Sequence, residues 1–210
     1  MVEQHPPQAP DRRAPVFFLS YAETPRRDWV RQFFEELSDH VAELMGFPAS
    51  GDVGFMNVNM GAGRVWSKEL AFAVGHCSVF VALLSPRYYT SEWCAREWHA
   101  FASRLPDNIL APEDTAMLPV IWTKKGVAAP AMIDRLQRFQ PIPPPDGIER
   151  RYGREGVYGL RVRQLESSDY DMVVWRLANE IADLAERLHV PSKVATDFEG
   201  LPGAFEEEPS

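Results

Sequence analysis

The run S-V-F-V-A-L-L-S, residues 78–85, carries no polar side chain between its two terminal serines. Successive side chains of a strand point to opposite faces, so a strand with one wet face alternates apolar and polar. A strand that does not alternate is covered on both faces, the condition of a parallel sheet with helices packed on each side. This one run therefore sets the architecture, and the rest of the chain has to supply neighbouring strands and two layers of helix.

It does so in order. V-F-F-L-S-Y-A, residues 16–22, has the length and composition of a buried strand. Thr24-Pro25 then reads as an N-cap with proline at the first helical position. Val30, Phe33, Phe34, Leu37, Val41, Leu44 and Met45 recur at steps of three and four up to Gly46, giving one buried helical face. A second strand is expected at 53–58 and a glycine-bearing loop after it. A helix follows from Trp66 to Cys77, with Trp66, Leu70, Ala73 and Val74 on one side. The apolar run is the third strand, a helix is expected over 91–105, and A-M-L-P-V-I-W, residues 116–122, is the fourth strand. Pro119 cannot donate to a ladder, so that strand lies near an edge or begins at the proline. Alternating strands and helices predict an α/β doubly wound parallel sheet.

Beyond Trp122 the signal weakens. Residues 132–139 suit a helical turn or two, P-I-P-P-P-D-G reads as a loop, and R-Y-G-R-E-G-V-Y-G-L reads as irregular. Helical spacing returns over 170–189. The expected organisation is a proline-rich disordered arm over 1–14, a folded domain over 15–190 and an acidic disordered tail over 191–210.

Charge and composition exclude several classes. A formal charge of -8 argues against a nucleic-acid-binding surface. Two cysteines, Cys77 and Cys94, and five scattered histidines fit no zinc pattern and no disulfide framework. The first residues lack the apolar core of a signal peptide, and no run approaches the roughly 20 apolar residues of a membrane span. The expectation is a cytoplasmic, metal-free protein with no membrane or nucleic-acid partner.

Ligands of open parallel sheets sit beyond the carboxyl ends of the strands. S-Y-A, N-V-N-M-G-A-G-R-V-W, S-P-R-Y-Y and the start of S-E-W-C-A-R-E-W, residues 91–98, all fall there. Gly61-Ala62-Gly63 lacks the third glycine of a dinucleotide fingerprint, and no P-loop lysine motif is present. At about 100° per residue, Cys94, Trp98, Phe101 and Leu105 form the core stripe of their helix, and Glu97 falls roughly 70° from its centre beside Trp93. This makes Glu97 a boundary residue, either a surface glutamate or one placed for chemistry. Trp66 and Trp93 are either core residues or stacking platforms.

The order of these motifs resembles the TIR (Toll/interleukin-1 receptor) domain family, especially its bacterial branch. The resemblance rests on Phe18-Leu19-Ser20-Tyr21 ending the first strand, Gly63 and Trp66 after the second, Ser85-Pro86 after the third, and Ser91, Trp93, Cys94 and Glu97 in the helix that follows. The late stretch G-L-R-V-R-Q-L is similar to a TIR-like subgroup called FxsC. The resemblance implies a flavodoxin-like fold of about five strands. It also implies an enzyme that cleaves NAD, its substrate rather than a cofactor, between nicotinamide and ribose. Glu97 would be the catalytic carboxylate, and Ser20, Tyr21, Asn57, Trp66, Ser85 and Trp93 would line the substrate pocket. Asn57 stands where many members carry an acidic residue. The loop over 57–66 is expected to mediate self-association, with a protein partner or assembly supplying the trigger. The alternatives are a non-catalytic TIR interaction module and a deoxyribosyltransferase-like enzyme, which would also set a glutamate near a ribose.

Overall fold

The chain's computed structural model describes residues 14–48, 53–57, 67–105, 115–124, 127–141, 147–163, 168–194 and 197–205. Four strands, β1 (Phe17–Ser20), β2 (Gly54–Met56), β3 (Val79–Leu84) and β4 (Met117–Ile121), form one sheet in the order β2-β1-β3-β4. Every pairing is parallel, with Phe18 opposite Phe80 and Ser20 opposite Ala82 in the central pair. The helices are α1 (Arg27–Met45), α2 (Lys68–His76), α3 (Pro86–Tyr89), α4 (Glu92–Ala102), α5 (Ala131–Asp134), α6 (Ile148–Val162) and α7 (Asp169–Arg187).

All six residues of β3 are buried, as the lack of alternation requires. Val79, Val81 and Leu83 join one core with Phe17, Leu19, α1, α6 and α7. Phe80, Ala82 and Leu84 join a second core with Phe18, α2, α3 and α4. The result is a sheet sealed between two helical layers. Pro119 pairs with Ala82 on β4, which is an outer strand among the described residues. Its edge position accommodates the missing donor, and its carbonyl accepts from Phe139 N–H at 3.0 Å.

Several expectations need correction. The helix expected from Thr24-Pro25 begins at Arg27, because Thr24 Oγ1 accepts from Arg26 N–H at 3.3 Å and sets a turn first. It ends at Gly46 as expected, in the left-handed conformation. The described residues hold four strands of the expected parallel sheet. The segment read as irregular is instead α6, and it lies against β4: Tyr152 Oη accepts from Ile121 N–H at 2.8 Å, and Tyr158 N–H donates to Trp122 O at 3.0 Å. Its glycines hid the helix from a propensity reading. Gly156 bends it with φ 69°, and a Cβ there would fall 2.5 Å from Trp122 O. Only glycine fits so close to a backbone carbonyl.

The segment expected to be a disordered tail also departs from the reading. Residues 191–194 and 197–205 are described, and Phe198 and Phe205 are 4% and 5% exposed. Composition registered the acidic residues and missed two isolated aromatics with a core face to cover. No helix among the described residues is long and apolar enough to cross a membrane.

Candidate active site

The carboxyl end of β1 places two consecutive side chains on opposite sides of the sheet. Ser20 faces α4 and Tyr21 faces α1. The site divides along this line.

On the α4 side, Ser91 caps the helix by accepting from Cys94 N–H at 3.3 Å. That fixes Trp93 and Glu97 one turn apart on the same face. Trp93 Nε1 donates to Glu97 Oε1 at 2.7 Å, and Ser20 Oγ donates to Glu97 Oε2 at 2.6 Å. Tyr88 Oη lies 3.1 Å from Ser20 Oγ. A serine hydroxyl has one proton, and here it goes to the carboxylate, so Tyr88 is the donor to Ser20. The result is a relay from Tyr88 through Ser20 to Glu97. Burial pushes the Tyr88 phenol well above its ordinary pKa, followed in size by the influence of Cys94; Ser20 opposes the rise and Glu97 adds to it. Tyr88 is therefore a neutral donor at physiological pH.

Glu97 is 1% exposed, so the expected boundary position is corrected. A helical wheel measures the angle to one core stripe, whereas α4 is covered nearly all round by α2, β1, α3 and residues 197–205. Phe18, two residues before Ser20 on the same face, stacks on Phe80 at 5.6 Å, and Phe80 meets Trp98 edge-on at 6.1 Å. These rings belong to the buried core on the α4 side of the sheet. A carboxyl group in such a place depends on its hydrogen bonds, and any charge it carries is far less screened than in water.

The other expected residues lie elsewhere. Ser85 does not reach Glu97; its Oγ accepts from Tyr88 N–H at 3.2 Å and caps α3, with Pro86 at the first helical position. It acts on the site by orienting Tyr88. Tyr21 Oη donates to Asn57 O at 3.1 Å, so Asn57 contributes a main-chain carbonyl here. Trp66 lies outside the described residues, as does the loop over 58–66. Tyr21 and Ser85 instead line a crevice of about 420 Å³ with Arg26, Arg87, Trp122 and Tyr158. It opens between the ends of β1 and β3, where the strand order reverses and open α/β sheets bind ligands. The crevice and the buried carboxylate thus flank the end of β1 from opposite sides.

Sequence reasoning missed Tyr88 and Phe198. Tyr88 was legible: a serine-proline cap starting one helical turn puts the third residue after the serine back over the strand end. Phe198 carried no local signal.

The model of the TIR domain matches residues 17–143, more than half of the chain. No curated protein matches the chain in sequence. A solved structure, the activated Roq1 resistosome directly recognising the pathogen effector XopQ (TIR domains), is similar over 82% of this chain and 84% of that chain. The two share 20% identity, with a TM-score of 0.33. With this match running from β1 past α5 across the Glu97 helix, the chain belongs to the TIR domain family.

Proposed function

We propose that this TIR domain is an enzyme that cleaves NAD at the bond between nicotinamide and ribose, with Glu97 as its catalytic carboxylate. The observation that carries the reading is a desolvated glutamate at the carboxyl end of the central strand, held by Ser20 and Trp93 in place of a packing residue. Departure of nicotinamide with the bonding electron pair leaves positive charge on the ribose ring. A fixed anion next to that carbon stabilises the developing charge more than it stabilises neutral ribose, which is the requirement for catalysis. The family supplies the substrate class, and the retained Trp93-Cys94-Ala95-Arg96-Glu97 sequence supplies the residue. Trp93 would be a wall of the pocket as well as a donor. In this reading the loop over 57–66 brings two copies together, so specific activity rises with protein concentration.

One observation favours a second reading, a TIR module that acts through protein contacts alone: the Glu97 carboxylate is enclosed, with hydrogen bonds to both oxygens. Incubating the chain with NAD at high concentration and measuring released nicotinamide separates the two. Release that disappears in Glu97→Gln supports the enzyme. A folded chain that self-associates and releases none at any concentration establishes the module.

A further inference from the structure

After α7 the chain turns back across the α4 layer. Arg104 Nε donates to Pro191 O at 2.9 Å, Lys193 N–H donates to Gly75 O at 3.0 Å, and Lys193 Nζ reaches Ser103 O at 3.2 Å. A Cβ on Gly75 would lie 3.0 Å from Lys193 O and from Val194, so this stretch is seated directly on the α2 backbone. Residues 197–205 then lie over α3 and α4. Gly200 N–H donates to Asp197 Oδ1 at 2.9 Å, and Leu201 N–H donates to Phe198 O at 3.2 Å, which folds a turn. A ring nitrogen of His99 lies 3.0 Å from Ala204 O.

The two phenylalanines of this stretch meet the two arms that hold Glu97. Phe198 packs edge-on against Trp93 with ring centroids 4.8 Å apart, and Trp93 is the donor to Oε1. Phe205 stacks on Tyr88 at 5.4 Å, and Tyr88 is the head of the relay that ends at Oε2. Phe205 also meets Trp98 edge-on at 5.9 Å. The stretch has no helix or strand of its own, and its buried anchors are the side chains of Phe198 and Phe205, so whether it is seated depends on those two rings and not on a hydrogen-bonded ladder.

We propose that residues 197–205 are an autoinhibitory strap that holds the Glu97 site closed, with Phe198 and Phe205 as its two keys. The proposal rests on Glu97 being the catalytic carboxylate. With the strap down, Phe198 takes up a surface of Trp93 that a substrate would need and the carboxylate is enclosed. With the strap lifted, Trp93 is freed and the carboxylate has a route to a ribose. Residues 191–194 stay anchored on α2 and serve as the hinge. The closed state therefore lowers the effective affinity for NAD by the fraction of time the strap is open.

A reversible lock tests this in the full chain. A Cβ at position 203 lies 3.5 Å from Glu92 Cβ, within the roughly 3.5–4.5 Å that a disulfide spans. Both native cysteines are buried and do not compete. The double variant E92C/G203C is assayed oxidised and reduced, beside F198A/F205A. Exposure of Trp93 is read by acrylamide quenching, as the difference from the matching chain that also carries Trp93→Phe. The expected result is NAD cleavage about tenfold slower in the oxidised lock than in its reduced form, and about fivefold faster than the unmodified chain in F198A/F205A. Equal rates in the oxidised and reduced lock overturn the strap while leaving the enzyme reading intact. If no form cleaves NAD, the enzyme reading fails and quenching decides the strap. Greater Trp93 exposure in the reduced lock and in F198A/F205A supports it, and equal exposure overturns it.

Discussion

The two faces of the sheet are cut from the same strands, and alternation along β1 and β3 divides residues between them one by one. Against α1, α6 and α7 the strands present Phe17, Leu19, Val79, Val81 and Leu83, and the buried core there is hydrocarbon and aromatic. Against α2, α3 and α4 they present Phe18, Ser20, Phe80 and Ala82, and this face encloses Glu97. Burying a carboxylate costs several kcal/mol before its partners offset the loss, and a packed hydrophobe in its place is often as stable or more so. Packing alone accounts for the strand residues of the first face, whose helical layer buries an acid, Asp169, in an ion pair with Arg151; it leaves Glu97 on the second face unexplained. A packing rule that the strand residues of one face keep and Glu97 breaks on the other marks a place where function sets the residue.

The largest effect should come from putting a charge on the strand surface that carries none. Val81 is fully buried against the α1 and α7 layer. Val81→Asp supplies a carboxylate with no donor waiting, unlike Glu97 with Ser20 and Trp93. A loss of more than about 4 kcal/mol is expected, enough to unfold a domain of ordinary stability. Circular dichroism through a thermal melt measures it. A native melt for Val81→Asp would mean that the two faces tolerate charge equally and would erase the contrast.

On the other face the expected loss is of rate. Glu97→Gln keeps the shape and an acceptor oxygen but removes the anion. Nicotinamide release should fall by at least about 100-fold, the scale of losing one preorganised electrostatic stabiliser, with the melt nearly unchanged. A folded Glu97→Gln protein with an undiminished rate would break the assignment of chemistry to this face.

The contrast was only partly visible in the sequence. Periodicity located the strands and the long helices because buried strands and amphipathic helices write their environment into neighbouring residues, and β3 is the clearest instance. Glu97 was legible as a motif residue, but its burial was not, since the cover comes from Tyr88 and from a phenylalanine about a hundred positions away in the chain. The α6 segment failed for a different reason. Gly153, Gly156 and Gly159 lower helix propensity, and contacts with β4 override that local preference. Gly156 shows the override directly, because its positive φ and the close Trp122 carbonyl exist only in the folded chain. Gly156→Ala is expected to cost about 2 kcal/mol or more, from the left-handed conformation and the contact together. Chemical denaturation measures it, and a neutral effect would show that α6 is free to shift away from β4.

The smallest effect separates the faces most cleanly, because one substitution can be made on both. Tyr152 on the α6 side accepts from Ile121 N–H, and Tyr88 on the α4 side donates to Ser20. Tyr152→Phe leaves a buried main-chain donor without that acceptor and should cost about 1–2 kcal/mol. It should not alter the rate of NAD cleavage per folded molecule. Tyr88→Phe removes the head of the relay and should lower the rate. Burial raises the pKa of Tyr152 above its ordinary value, and this gives the stability effect a pH signature. A raised folded pKa means that the stabilisation is complete below the unfolded tyrosine pKa of about 10 and is lost as pH climbs through the folded value. Phenylalanine has no such proton, so the gap in stability between the native chain and Tyr152→Phe should narrow above about pH 10. The thiol of Cys77, pushed up by burial to about 12, is common to both proteins and cancels in the difference. Urea titrations of the pair at neutral and alkaline pH check the sign. A gap that stays constant or widens with pH would show that burial does not hold the Tyr152 hydroxyl in its neutral form.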